Sequence, residues 1–395
     1  MIRSPICHGV HPGAFGNTTR QISSQLHVGA SQVIAPDETI TDTLRVSTSA
    51  RWNQRAVALV VARKPTSNGQ AAVSRILTYL SLAQYRAVVA AQAAAGGARP
   101  LSISAAVGGA STVVLNSFFP LDVASTEAQL NADLAIPPWP SARGEDVAGG
   151  ESLGRTIGAT VVALAASDNY LVAPPGAIPV GPDKWVSSAA AVVRSLHGTR
   201  PFFLSSPSQI RSPAPPAVGS AQYVTALAEV RKISDTRTAA QIATALNWNT
   251  SSGPFTAGTL NLVADDLIRQ YRLAEPEAAR ILAFANAAAF DAQIACWDSK
   301  FTYWYPRPTQ GDPAITMSIP LPNHPSYPSG HSCITGAFMG VLGDALPMEK
   351  TRLDAMVDEA GMSRVYGGIH YRFDIDAGRD IGRSAAALAL KGSLK

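Results

Sequence analysis

Apolar residues recur at three- and four-residue spacing through most of the chain beyond residue 50. The stretch SRILTYLSLAQYRAVVAAQAA, residues 74–94, shows this best, with Ile76, Leu80, Ala83 and Ala87 on one helical face. From RWNQRAVALVVARK at residue 51 to about residue 168, such segments alternate with short breaks. Residues 169–220 are rich in Pro and Gly, as in VAPPGAIPVGPDKW and SPAPPAVGS, which predicts a long connection or a boundary. Helical spacing resumes at about 221 and continues to the end. No strand-type alternation persists beyond a few residues, and no internal repeat is present. The pattern predicts an all-α fold behind an extended N-terminal arm over residues 1–50, which is rich in Gly, Ser, Thr and Pro.

Four helices predicted in the last 120 residues matter most. The first runs from about 276 to 300, with Pro276 in its first turn and Lys300 at its C-terminal end. The second begins at YPSGHS, which puts Ser329, Gly330 and His331 at a helix N-terminus, where free N–H groups and the dipole attract anions. The third, about 349–363, delivers Arg364, and the fourth starts near Asp376 and runs to about 391. Between the last two lies SRVYGGIHYRFD, where a Gly-Gly pair separates Arg364 from His370 and suits neither a helix interior nor a strand.

The composition narrows the partners. Of 395 residues, 46% are hydrophobic and 15% charged, which fits a compact globular chain rather than broad disorder. Lys and Arg number 32 against 28 Asp and Glu, with no basic run, which argues against a nucleic-acid surface. Cys7, Cys296 and Cys333 have neither a disulfide framework nor metal-ligand spacing and are simplest as buried or incidental thiols. The start, MIRSPICHGVHPGAFGNTT, has no apolar signal-peptide core. No stretch approaches the ~18 uninterrupted apolar residues of a membrane span. The chain is expected to be soluble, either cytoplasmic or exported after processing.

Three blocks of the C-terminal part belong together: Lys300 with Arg307-Pro308, Pro328-Ser329-Gly330-His331, and Ser363-Arg364 with His370 and Asp374. Three cations, a hydroxyl, a glycine N–H and two imidazoles are what a tetrahedral oxyanion needs. Taken singly, each residue is more simply a solvated charge, a helix cap or a structural loop histidine. In this order and spacing they resemble the signature of the type 2 phosphatidic acid phosphatase superfamily, shared by bacterial acid phosphatases, lipid phosphatases and vanadium-dependent haloperoxidases. DAQIACWDSKFTYWYPRP, HPSYPSGH and SDTRTAAQIATALNW are similar to the haloperoxidase branch.

That resemblance implies two helical bundles, here 51–220 and 221–395, with one vanadate in the C-terminal bundle. His370 would be the metal ligand. Lys300, Arg307, Ser329, the Gly330 N–H and Arg364 would bind the oxygens. His331 would be the acid/base, and Asp374 would orient His370. Lys300 would also polarise hydrogen peroxide, the co-substrate with halide and a small organic molecule. His324, seven residues before His331, resembles the histidine of bromoperoxidases, where fungal chloroperoxidases have phenylalanine, and implies a preference for bromide and iodide. The plainer alternative for His324 is a loop residue facing solvent. Phosphate is near-isosteric with vanadate, so a soluble acid phosphatase acting through a phosphohistidine at His370 is the rival reading. A helical scaffold with a vestigial anion pocket is a third, and a homodimer stays open.

Overall fold

A computed structural model describes residues 47–64, 69–94, 99–135, 144–173, 176–187 and 196–394. The expected N-terminal arm, with Cys7, falls almost wholly outside these residues. The described chain is helical without strands, as the spacing of apolar residues predicts; Leu101 and Asp146 form an isolated bridge. Its first helices are α1 (Thr48–Arg63), α2 (Gly69–Ala93), α3 (Ile103–Phe118), α4 (Val123–Ala135) and α5 (Val147–Ala166). The described part of 169–220 contains no helix, in keeping with its Pro and Gly content. Then follow α6 (Ala221–Thr236), α7 (Ala239–Asn247), α8 (Phe255–Gln270), α9 (Glu275–Tyr303), α10 (Gly330–Ala345), α11 (Lys350–Tyr366) and α12 (Arg372–Lys391).

Why α9 is the axis follows from its sequence. EPEAARILAFANAAAFDAQIACWDSKFTY is apolar on every side, and nearly every residue from Ala278 to Phe301 is buried. One apolar cluster joins Leu282, Phe290 and Trp297 of α9 to Phe338 and Leu342 of α10, Leu353 of α11 and Ala385 of α12. A second is built from α1–α5, with Trp52, Leu77, Leu80, Ala106, Leu115 and Val161 at its centre. The Glu275 carboxylate reaches back from the start of α9 to the N-terminus of α1, accepting from Thr48 N at 2.5 Å and Ser49 N at 2.9 Å. Those N–H groups would otherwise have no acceptor.

Small residues let two pairs of helices approach closely. Gly150, Gly154 and Gly158 of α5 lie against Ser102, Ala106 and Ala110 at matching four-residue intervals. Gly378 and Gly382 of α12 do the same against α10: a Cβ on Gly378 would lie 2.6 Å from the Ser329 carbonyl. The PSGH serine is therefore set in place by the helix that follows His370. The sequence expectation that this last helix starts near Asp376 is corrected to Arg372. The Tyr371 N–H donates to the Asp374 carboxylate at 3.2 Å, and that bond pulls the first turn four residues forward.

Candidate active site

Lys300 lies in the last turn of α9 and Arg307 in the loop behind it, just before a one-turn helix, Pro308–Gly311. Ser329 caps α10, Gly330 and His331 open it, and Arg364 ends α11. The chain then turns through Gly368 at φ 78°, a conformation that favours glycine, and brings His370 back towards Arg307. The three motif blocks thus meet: Arg307 touches His370, and Lys300 touches the Pro328 carbonyl of the PSGH block.

His370 is 3% exposed and its ring is fixed from both sides. Nδ1 lies 2.7 Å from Asp374 Oδ2, so it donates there and leaves the lone pair on Nε2. The same carboxylate oxygen accepts from Ser326 Oγ at 2.6 Å. Burial pushes the Asp374 carboxyl up to about 6. Arg307 Nη1 donates to His370 Nε2 at 3.0 Å and to the Ile369 carbonyl at 2.7 Å. Arg307 Nη2 lies 3.1 Å from His324 Nδ1, which also lies 3.2 Å from the Pro325 carbonyl, so one guanidinium touches both imidazoles. His324 is half-buried and also packs on Trp297, ring centres 5.2 Å apart.

Lys300 behaves differently from the sequence expectation of a cation facing an anion. Its Nζ donates to the carbonyls of Pro325, Ser326 and Pro328 at 2.7, 2.8 and 2.6 Å, which accounts for all three ammonium hydrogens. Arg364 donates from Nη2 to the Ala245 carbonyl at 3.0 Å and from Nε to Ser363 Oγ at 2.9 Å. Lys300 and Arg307 are 0% exposed and Arg364 is 3% exposed, yet among the described residues none of them has a carboxylate within ion-pair distance. Burial lowers Lys300 to about 8, Arg307 to about 10 and Arg364 to about 9. Burial first, then the neighbouring cations, holds His324, His331 and His370 well below the usual imidazole value, so all three are neutral near pH 7.

Buried charge is ordinarily paired, and unpaired buried cations are costly. Three such cations near a neutral imidazole have the chemistry that can hold an anion. Among the described residues no group of three or more His, Cys, Asp or Glu is assembled for a bare cation. Cys296 and Cys333 are free and buried. Sequence reasoning gave no role to Ser326, although HPSYPSGH contains it, and none to Thr256 or Trp248, which touch His331. Trp248 closes the quoted stretch SDTRTAAQIATALNW, whereas nothing local marks Thr256.

Residues 278–395 match the model of the PAP2 superfamily. No curated protein sequence matches the chain. Among solved structures, the first bacterial vanadium-dependent iodoperoxidase superposes with a TM-score of 0.72 at 21% identity, covering 88% of this chain and 96% of that one. An apo-type bacterial vanadium-dependent chloroperoxidase gives 0.66 at 15%, covering 82% and 93%. A holo-type bacterial vanadium-dependent chloroperoxidase gives 0.65 at 14%, covering 82% and 91%. Among the described residues no helix is long and apolar enough to cross a membrane.

Proposed function

This chain carries a PAP2 superfamily domain within an all-α fold shared with bacterial vanadium-dependent haloperoxidases, and from that premise we propose that it is a vanadium-dependent haloperoxidase oxidising bromide and iodide with hydrogen peroxide. The observation that carries the reading is the set of three buried cations without a carboxylate partner beside the His370 lone pair. That donor set fits a tetrahedral oxyanion such as vanadate, or phosphate in its place.

Vanadate, when bound, supplies a Lewis-acidic centre that activates hydrogen peroxide towards halide. The chain's own residues do the rest. Asp374, itself held by Ser326, keeps the hydrogen on His370 Nδ1 and so presents Nε2 as the ligand nitrogen. Arg307, which donates to that nitrogen, would instead donate to the oxygens of a bound anion. Arg364, the Ser329 hydroxyl, the Gly330 N–H and the Lys300 charge bind the same oxygens. His331 moves the peroxide proton. His324, tied to Arg307, would add a neutral imidazole near bound peroxide and alter its electrophilicity so as to favour bromide and iodide over chloride. Hypohalous acid then halogenates a small organic substrate.

The phosphatase reading has one observation in its favour: His370, oriented by Asp374, is also what a nucleophilic imidazole requires. Peroxide-dependent bromination of a phenol dye, with and without added orthovanadate, separates the two. Vanadate-dependent bromination that disappears together with bound vanadium in His370→Ala supports the proposal. Hydrolysis of a phosphomonoester without any halogenation overturns it. Within the haloperoxidase reading, His324→Phe should raise the chloride-to-bromide ratio, and an unchanged ratio removes His324 as the determinant.

A further inference from the structure

A histidine that moves protons must keep one ring nitrogen free for them, and the surroundings of His331 show which. Its Nε2 lies 3.1 Å from the Trp248 carbonyl oxygen and 3.1 Å from Thr256 Oγ1. A carbonyl only accepts, so Nε2 carries the hydrogen and the neutral ring keeps its lone pair on Nδ1. Neither partner is loosely placed. The Trp248 side chain is buried, and its indole N–H donates to Glu359 at 2.8 Å. Thr256 is fully buried; its N–H donates to Gln70 Oε1 at 3.0 Å, and its hydroxyl lies 3.4 Å from Thr250 Oγ1. Phe255, just before it, has φ 59°, in the left-handed region that a bulky residue enters only when its surroundings impose it. All these groups except Glu359 precede residue 278, where the superfamily match begins.

We infer that Thr256 is a positioning residue: together with the Trp248 carbonyl it locks His331 as the Nε2–H tautomer, so that Nδ1 takes and returns the proton. The inference rests on the acid/base role given to His331 above. His370 is locked the other way, with its hydrogen on Nδ1 and its lone pair on Nε2. One histidine thus offers Nε2 to a central atom and the other offers Nδ1 to a proton, each set by the acceptor behind its ring. In the transfer, a peroxide O–H bond breaks and its proton joins Nδ1, giving an imidazolium whose Nε2–H still points at the Trp248 carbonyl. The hydroperoxide anion so formed would take the place of a hydroxide at the bound oxyanion, the Nδ1 proton would pass to that hydroxide, which leaves as water, and the ring would return to its starting tautomer.

Nitrogen-15 histidine labelling of the full chain, without added anion, reads the tautomer directly in long-range correlation spectra, with the His331 signal identified by its loss in His331→Gln. The expected result is the Nε2–H pattern in the wild type, averaged tautomers in Thr256→Val, and the wild-type pattern restored in Thr256→Ser. In vanadate-supplemented assays Thr256→Val should lower kcat about tenfold with little change in the KM for peroxide, and Thr256→Ser should recover most of it. An Nδ1–H tautomer in the wild type overturns the inference. So does a Thr256→Val protein with unchanged spectrum and turnover. Because the spectra need neither vanadate nor halogenation, a chain inactive as a haloperoxidase would refute that reading while leaving the tautomer measurement to stand by itself.

Discussion

Lys300 brings a charge into the core and spends every hydrogen on main-chain carbonyls. Those of Pro325, Ser326 and Pro328 wrap its ammonium, so the side chain fixes the loop that leads into the PSGH block. Ser326 in that loop donates to Asp374, and Asp374 orients His370. Removing the ammonium strips three buried carbonyls of a charged donor, at on the order of 1 kcal/mol each, and leaves Pro328 only the weak Cys296 thiol at 3.7 Å. Lys300→Met should therefore lower the stability of the protein without added anion by on the order of 3 kcal/mol, read as an earlier urea midpoint. It should also weaken vanadate retention after dialysis. A variant that keeps the wild-type midpoint and loses only vanadium would reduce Lys300 to a plain charge.

Helix contacts make different demands on residues that look alike in the sequence. Gly154 in α5 faces the Ala106 carbonyl of α3 at a distance that leaves no room for a methyl group. Gly343 in α10 has nothing nearer than Lys350 Cγ at 3.6 Å. Gly154→Ala should destabilise by about 1–3 kcal/mol through forced separation of the helices. Gly343→Ala should stabilise by about 0.5–1 kcal/mol through helix propensity. Thermal unfolding of the two variants side by side checks the opposite signs. The long helix holds the Pro-rich connection through Asp291, whose carboxylate accepts from the N–H groups of Phe202, Phe203 and Leu204 at 2.8, 2.6 and 3.1 Å. Burial nevertheless pushes this carboxyl up to about 7. Because the value in the fold lies above the ordinary one, its contribution is fully present below about pH 4 and is lost as pH rises through 7. The stability advantage of the wild type over Asp291→Asn should accordingly be larger at pH 5 than at pH 8. Melting curves across that range test it, and a gap that widens towards pH 8 would reverse the assignment.

The molecule as a whole sets a stability cost against binding capacity. Helices α7 to α12 enclose Lys300, Arg307 and Arg364 with no carboxylate among the described residues in ion-pair contact and Asp374 as the nearby buried acid, and on the proposed reading an anion would offset that cost. Orthovanadate or phosphate should raise the melting temperature, by an amount equivalent to about 2.7 kcal/mol at a hundredfold excess over Kd. His370→Ala should abolish the vanadate increment. Arg364→Met, which removes the donor to the Ala245 carbonyl as well as a buried charge, should change the melting temperature without anion little and gain less when anion is added. If Arg364→Met melts well below the wild type and retains the full anion increment, the guanidinium serves the fold and not the anion.

Helical class, the Pro- and Gly-rich break after residue 168 and the three motif blocks were legible in the chain because each is local. Apolar period reports a buried face, and a short run such as PSGH carries its own turn and helix start. The link from His370 to Asp374 was legible for the same reason, since four residues span one helical turn. Other features came only from tertiary packing. Lys300 looked like a cation for an anion, yet its hydrogens go to carbonyls 25 to 28 residues away, and nothing in a sequence tells where a carbonyl will point. Thr256 and Trp248 lie 75 and 83 residues before His331; Trp248 closes the quoted stretch SDTRTAAQIATALNW, but nothing in that stretch says that its carbonyl meets His331, and Thr256 lies outside it. The start of α12 shifted forward because one carboxylate bonds both a ring nitrogen and a backbone N–H. Residue types and their spacing determine which groups are available to the site. Only the packing of distant helices decides which hydrogen each of those groups gives away, and to what.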